Sequence, residues 1–324
     1  MSPSRTTSEG TARSPGGRAA QVAARFGRNG WAVCRQAALR RRGGTDYIPP
    51  WSASVLDDIV LNRPWNLLFR VLRGVRAVRL RLPGKLGIRR GVTVVTVNWN
   101  GKALLPVVLQ AIERFSPDPP EVIVVDNASS DGSQAWLRAN RHRLRPVFLR
   151  RNIYHGPAMD LGFLLSRTEY VVALDIDAFP VRADWLEVLQ GCLRDGATVA
   201  GARAMRDYVH PCCLMMRLDR FVALRHTFQP HIGDWQPERL GVDEWDAGES
   251  ISRREGDEHL ALLPRTHARG PGHLGSVFGD IVFHNGASVR ILAGDHVEGI
   301  DVSDVHASWS EAVVRYLDGQ EPGR

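Results

Sequence analysis

The chain has 324 residues, 44% of them hydrophobic and 24% charged, the proportions of an ordinary globular protein with chain enough for one large or two modest domains. Collagen-like, disulfide-scaffold and wholly disordered chains are excluded, and no run of about 18 uncharged apolar residues offers a transmembrane helix. The formal net charge of +7 hides two opposite parts: residues 1–90 hold 18 Lys and Arg against 4 Asp and Glu, and residues 91–324 hold 24 against 31.

Residues 1–20 are rich in Ser, Thr, Arg and Gly, and residues 1–60 as a whole are expected to form a basic, largely disordered extension. No apolar stretch of signal-peptide length occurs there. Between Ala23 and Arg42 a helix is weakened by Gly27 and Gly30, and Tyr47–Trp51 reads as an extended linker. Residues 61–90 form a basic amphipathic segment. Pro64 is expected to open a helix running to about Leu82, with Leu67, Val71, Val75, Val78 and Leu82 on one face. Arg70, Arg73, Arg76, Arg79 and Arg81 occupy the other half. Two readings follow: the apolar face packs on the main domain, or it lies on an anionic membrane surface.

After Pro83-Gly84 strands and helices alternate. Strands are expected at Gly91–Asn98, Glu121–Val125, Pro146–Leu149 and Glu169–Leu174. Helices are expected at Lys102–Phe115, Gly132–Asn140 and Gly156–Ser166. This spacing predicts a doubly wound, mostly parallel α/β sheet with helices on both faces. A helix at Trp185–Leu193 and short strands at Thr198–Gly201 and Cys212–Met216 continue it. Four cysteines (Cys34, Cys192, Cys212, Cys213) show no CxxC pair, and neighbours on a strand point apart, so a reduced, cytoplasmic setting is expected.

In such sheets ligands bind beyond the carboxyl ends of the strands. There the first strand carries Asn98-Trp99-Asn100-Gly101, the second Asp126-Asn127-Ala128-Ser129-Ser130-Asp131-Gly132, and the fourth Asp175-Ile176-Asp177. Two carboxylates beyond one apolar strand repel each other unless a cation lies between them, and Mg²⁺ takes one or two such groups together with substrate phosphates. Asp131, just before Gly132, fits a turn or cap role equally well.

These residues carry a resemblance. Val94–Gly101, Val124–Ser133 and the Asp175-Ile176-Asp177 run are similar to the opening segments and DxD motif of family 2 glycosyltransferases of the GT-A fold. Asn152, Gly156, Ala158 and Gly162 resemble that family's helix entry, with Asp160 standing where the family usually has Asn. The resemblance covers residues 91–205, the expected nucleotide-sugar-binding half; residues 206–324 would form the acceptor half of the same domain.

The resemblance implies a metal-dependent, inverting transfer of a sugar from a nucleotide-diphosphate donor to an acceptor hydroxyl. The acceptor would belong to a cell-envelope glycan, a lipid-linked saccharide or a small natural product. It implies that Asp126 grips the base with help from Asp131, and that Thr96, Val97 and Asn98 line the pocket. Asn127, Asn152, Gly156 and Asp160 fall in the same donor-binding set. Asp175 would contact ribose or support the metal, and Asp177 would ligate Mg²⁺ or Mn²⁺. A late histidine often completes the site in relatives, and His284 is placed suitably.

Inverting attack needs a carboxylate base. The cluster Asp243–Ser250 opens a short helix, and Asp246 is the first choice for that base, with Glu249 second; Trp235 and Trp245 could stack on a sugar. The alternatives are a sugar-phosphate nucleotidyltransferase, whose Gly-rich triphosphate loop is not present after the first strand, and a non-catalytic nucleotide-sugar or nucleic-acid-binding module. The acidic main body argues against wrapping a polyanion, so no nucleic-acid partner is expected. Membrane contact through residues 64–82 would place the protein at the inner face of the membrane.

Overall fold

The computed structural model describes residues 55–82, 87–229, 246–268, 274–286, 288, 291 and 300–318. The expectations for Ala23–Arg42, for the linker at 47–51 and for Trp235, Asp243, Glu244 and Trp245 lie outside the described residues. A long helix α1 (Val55–Arg79) precedes β1 (Arg89–Asn98), α2 (Leu105–Arg114), β2 (Glu121–Asp126), α3 (Ser133–Ala139) and β3 (Arg145–Phe148). Then come α4 (His155–Leu165), β4 (Thr168–Leu174), β5 (Ala178–Pro180), α5 (Trp185–Arg194), β6 (Val199–Arg203) and β7 (Val209–Arg217). The chain continues with α6 (Leu218–Ala223), α7 (Glu249–Glu255), β8 (Leu260–Leu263), β9 (Arg265–His267), β10 (Ser276–Phe278), β11 (Val282–His284) and α8 (Val302–Val313).

Seven strands form the main sheet in the order β3-β2-β1-β4-β7-β6-β8. The run from β3 to β4 is parallel; β7 is inserted antiparallel between β4 and β6, and β6 and β8 pair in parallel. Alternate residues divide between two cores, as the pleat requires. Val92, Val94, Val122, Val124, Val172 and Leu174 face α2 and α5. Val95, Val97, Ile123, Val125, Val171 and Ala173 face α4 and α6. Each such fully buried side chain contributes roughly 1.5–3 kcal/mol of transfer free energy. Gly162 lets α4 lie close on the sheet, because a Cβ there would come within 2.1 Å of Val95 Cγ1. A second, antiparallel sheet, β5-β11-β10-β9, stands beside the carboxyl ends of the parallel strands.

Helix α1 departs from expectation in two ways. It starts at Val55, so Pro64 lies inside it and the boundary set at residue 60 falls within the helix. Its packed face is also not the apolar stripe: Leu67, Val71, Val75, Val78 and Leu82 are exposed, while Phe69 and Arg76 are buried. The cause is polar. Arg76 donates from Nε and Nη2 to the Leu164 carbonyl at 3.0 and 2.7 Å, one of the end carbonyls of α4 that no helical N–H can satisfy. Arg73 reaches the carbonyls of Phe221 (3.3 Å) and His226. Burial lowers the Arg76 pKa to about 10, yet its carbonyl partner and the helix C-terminal dipole hold it there.

Candidate active site

Because β1, β2 and β4 run parallel, their carboxyl ends emerge on one edge, and Asn98 and Asp126 are direct register partners. Asp126 is fully buried. Its Oδ2 accepts from Asn98 Nδ2 at 2.9 Å, and its Oδ1 from Ser129 N (3.1 Å) and Gln134 Nε2 (2.9 Å). Asn127 ties this loop to the entry of α4: it donates to Asn152 Oδ1 at 2.8 Å and accepts from Ile153 N at 2.8 Å. Asp131 bridges the first two loops, accepting from Lys102 N (2.8 Å) and from Ser133 N and Oγ (2.9 and 2.6 Å). Burial acts to raise its pKa, and these hydrogen bonds overcome that and lower it. Thr96 Oγ1 and Asn98 Oδ1 are buried without a hydrogen-bond partner, while the Val97 side chain joins the core. Ala128 (φ 63°) and Tyr154 (φ 70°) hold positive φ without being glycine, and such strain gathers at loops that rim ligand sites.

The fourth strand end is built differently. Asp175 and Asp177 follow β4, and β5 begins at Ala178, which pairs in register with His284 of β11. That pairing sets His284 beside Asp177. His284 Nε2 lies 3.4 Å from Asp177 Oδ1 and 3.9 Å from Asp175 Oδ2, and Ser288 Oγ donates to Asp177 Oδ2 at 2.8 Å. From the head of α4, His155 Nε2 comes within 3.3 Å of Asp175 Oδ1. Neither atom makes an aligned hydrogen bond, and both are buried. Strand β7 starts where β4 ends, so His210 and Cys212 join the same cluster; the His210 and His284 ring centroids are 5.5 Å apart.

Electrostatically this is a mutually stabilised group of ions. Burial acts to raise the pKa of Asp175, and His155, His210 and His284 outweigh it and hold the carboxylate well below its usual range. Asp177 is lowered likewise, against burial, chiefly by His284. Burial opposes charge on His210, but Cys212 and Asp246 raise its pKa to about 9; the Cys212 thiol is lowered, against burial, by His284 and His210.

The ligating atoms of Asp175, Asp177 and His284 lie within 4.8 Å of one another. Two hard oxygen ligands and one imidazole, with an orphaned carboxylate oxygen among them, fit a small divalent cation, and the nitrogen suits Mn²⁺ better than Mg²⁺.

Asp246 is half-exposed and faces this cluster: its Oδ2 accepts from Tyr208 Oη at 2.6 Å and lies 3.8 Å from His210 Nε2. Glu249, at the start of α7, is buried, paired with Arg206 and with Arg253 at 3.3 Å, and accepts from Asp246 N at 3.1 Å. Asp160 and Gly156 are drawn into a different task. Asp160 is fully buried and accepts from Thr227 Oγ1 (2.5 Å) and Phe228 N (2.8 Å), and a Cβ on Gly156 would come within 2.6 Å of the Phe228 carbonyl. Both therefore dock the 227–229 segment onto α4, and the carboxylate oxygens of Asp160 are turned to that segment. Burial raises the Asp160 pKa to about 6.

Sequence reading missed His155, His210, Cys212, Tyr208 and Arg206. His155 adjoins the Asn152–Gly156 motif and could have been flagged from it. The others converge only through the antiparallel strands.

Four neighbouring parallel strands thus bring acid-bearing ends to one edge of the main sheet, and the flanking antiparallel sheet brings His284 to them. Residues 93–211 match the family model Glycosyl transferase family 2. No curated protein matches the chain. Among solved structures, the chain is similar to a mannosyltransferase from Pyrobaculum calidifontis in complex with GDP-Man and Mn²⁺, at 20% identity over 64% of this chain and 66% of that one, with TM-score 0.41. It is similar to S. aureus TarS 1-349 at 13% identity, over 70% and 72% of the two chains, with TM-score 0.42. A third likeness is to glucosyl-3-phosphoglycerate synthase from Mycobacterium tuberculosis in complex with Mn²⁺, UDP and glucosyl-3-phosphoglycerate, at 14% identity over 78% and 86%, with TM-score 0.41.

Proposed function

We propose that the protein is a divalent-metal-dependent glycosyltransferase that moves a sugar from a nucleoside-diphosphate donor to an acceptor hydroxyl with inversion. The observation that carries this reading is the convergence of Asp175, Asp177 and His284 on one point, with Asp126 on one side and half-exposed Asp246 on the other. Asp126, fixed by Asn98, Ser129 and Gln134, presents a preorganised carboxylate to the nucleoside. Asp175, Asp177 and His284 would hold Mn²⁺ or Mg²⁺, which when bound offsets the charge of the departing diphosphate. His155, at the N-terminus of α4, is positioned to donate to a diphosphate oxygen.

Asp246 is the general base. Its carboxylate takes the proton of the acceptor hydroxyl as that oxygen bonds to the anomeric carbon and the bond to the diphosphate breaks from the opposite face. Tyr208 aims one Asp246 oxygen, while Glu249, buried and doubly paired with arginine, suits positioning of the 246–249 turn better than proton transfer. Titration calorimetry with UDP, GDP and dTDP, with and without Mn²⁺, tests the proposal. Binding of at least one nucleotide that depends on Mn²⁺ is expected; no metal-dependent binding of any of the three would overturn it.

The exposed stripe of α1 supports the membrane reading of residues 64–82 over the packing one. Leu67 is 65% exposed and Val78 59%, with Arg70 and Arg81 also exposed beside them. Apolar residues rimmed by arginine suit an anionic lipid surface. In the described residues no helix is long and apolar enough to cross a membrane.

A further inference from the structure

The cleft holds a second, chemically different set of ligands. Cys212 is fully buried, His284 nearly so, and His210 is half-buried. One ligating atom from each of His210, Cys212 and His284 lies within 4.8 Å of the others, the same spread that defines the Asp175, Asp177 and His284 group. The arrangement is set by the backbone and not by flexible surface side chains. His210 and Cys212 stand two apart at the start of β7, with the Cys212 N–H donating to His210 Nδ1 at 3.0 Å. His284 arrives on β11 through its register with β5.

A thiolate and two imidazoles are the ligand types that favour Zn²⁺ and its softer congener Cd²⁺, whereas two carboxylates and one imidazole favour Mn²⁺ or Mg²⁺. Asp246, 3.8 Å from His210 Nε2, is the acidic partner for that N–H, which leaves Nδ1 as the ligating nitrogen, its lone pair exchanging the Cys212 N–H for the ion.

We propose that His210, Cys212 and His284 form a thiophilic metal site, for Zn²⁺ or Cd²⁺, which shares His284 with the hard-cation site and therefore excludes Mn²⁺ from it. The exclusion has two sources. His284 is common to both groups, and a neutral imidazole has one lone pair to give, so it cannot ligate two ions at once. Two dications separated by one shared side chain also repel strongly at the low effective dielectric of a buried cluster. The consequence is a transferase inhibited by soft divalent ions through competition for a shared ligand, an inhibition that added Mn²⁺ relieves. The thiophilic site stands on the His210–Cys212–His284 geometry alone; the exclusion clause rests on the proposed Asp175–Asp177–His284 ion.

The test uses the full-length protein and two readouts. In the first, Cd²⁺ is titrated while the ultraviolet thiolate-to-cadmium charge-transfer band is followed. The band is expected to saturate near one equivalent in the wild type and in Cys34→Ser, Cys192→Ser and Cys213→Ser. It should disappear in Cys212→Ser and weaken by about tenfold or more in apparent affinity in His210→Ala. A band that survives Cys212→Ser, or no band in the wild type, overturns the site. His210→Ala keeps the test decisive if Cys212→Ser does not fold, because it leaves the buried thiol in place.

In the second readout, Mn²⁺ bound to the protein is followed by electron paramagnetic resonance as Zn²⁺ is added. Release of Mn²⁺ from the wild type at one equivalent of Zn²⁺, and its retention in His210→Ala, is expected. Mn²⁺ that stays bound while the cadmium band forms overturns the exclusion. If Mn²⁺ never binds, the hard-cation reading fails and the exclusion with it, while the cadmium titration still decides the thiophilic site.

Discussion

The two ends of the cleft handle their carboxylates in opposite ways. Beyond β1 and β2, the oxygens of Asp126 and Asp131 are engaged by neighbours within the two loops: Asn98, Ser129 and Gln134 for the first, Lys102 N and Ser133 for the second. Beyond β4, Asp175 and Asp177 face imidazoles brought from α4, β7 and β11, and Asp175 Oδ1 is buried with no aligned hydrogen bond. A saturated carboxylate is scaffold or a preset recognition group, since its interactions are complete before a ligand arrives. A buried carboxylate with one oxygen unsatisfied keeps an acceptor site to offer an ion or a substrate.

That contrast can be broken most forcefully at its open end. Asp177→Ala should abolish Mn²⁺-dependent nucleotide binding, a loss of about two orders of magnitude or more by calorimetry, while Asp131→Asn should keep that binding. Retained metal-dependent binding in Asp177→Ala would remove the basis of the contrast. Next in size, Asp246→Asn should lower kcat by about 10²–10⁴-fold with nucleotide affinity unchanged, and Glu249→Gln should lower it less and cost folding stability as well. Single-turnover assays with a responsive acceptor separate the two effects.

A smaller effect belongs to Asp160, a saturated carboxylate outside the cleft. Burial raises its pKa to about 6, so the folded protein favours the protonated form. The stability it contributes is full below the ordinary carboxylate range and is lost as pH rises through about 6. Asp160→Asn does not titrate and should gain on the wild type by on the order of 2 kcal/mol between pH 4 and pH 8, read as a growing Tm difference. A Tm difference that is flat with pH would show that Asp160 stays ionised.

The smallest expected effect is on α1. Val71→Asp with Val78→Asp should leave Tm nearly unchanged, because both side chains are exposed, and should weaken co-sedimentation with anionic vesicles by several-fold. A large drop in Tm would show that the stripe is covered within the protein.

How much could be read beforehand depended on sequence distance. Every strand and helix expected between residues 91 and 201 is present within a few residues, because β-branched runs and helical spacing are local signals. The strand-end acids were legible for the same reason: a polar cluster after an apolar strand marks the edge of a sheet wherever the strand sits. Helix α1 was legible as a helix but not in its orientation. Its apolar stripe was the natural candidate for burial, and the carbonyls of Leu164, Phe221 and His226 instead drew Arg73 and Arg76 inward.

The sequence by itself therefore determined the alternating fold, the acidic edge and the match of residues 93–211 to a family model, since each is written in short, contiguous patterns. Only the tertiary structure decided which groups meet there. His284 reaches Asp177 through a register between β5 and β11, more than a hundred residues apart in the chain. His210 and Cys212 reach Asp175 because β7 enters the sheet antiparallel beside β4. Antiparallel pairing of distant strands is fixed by the packing of the whole domain, and no local run of residues encodes it.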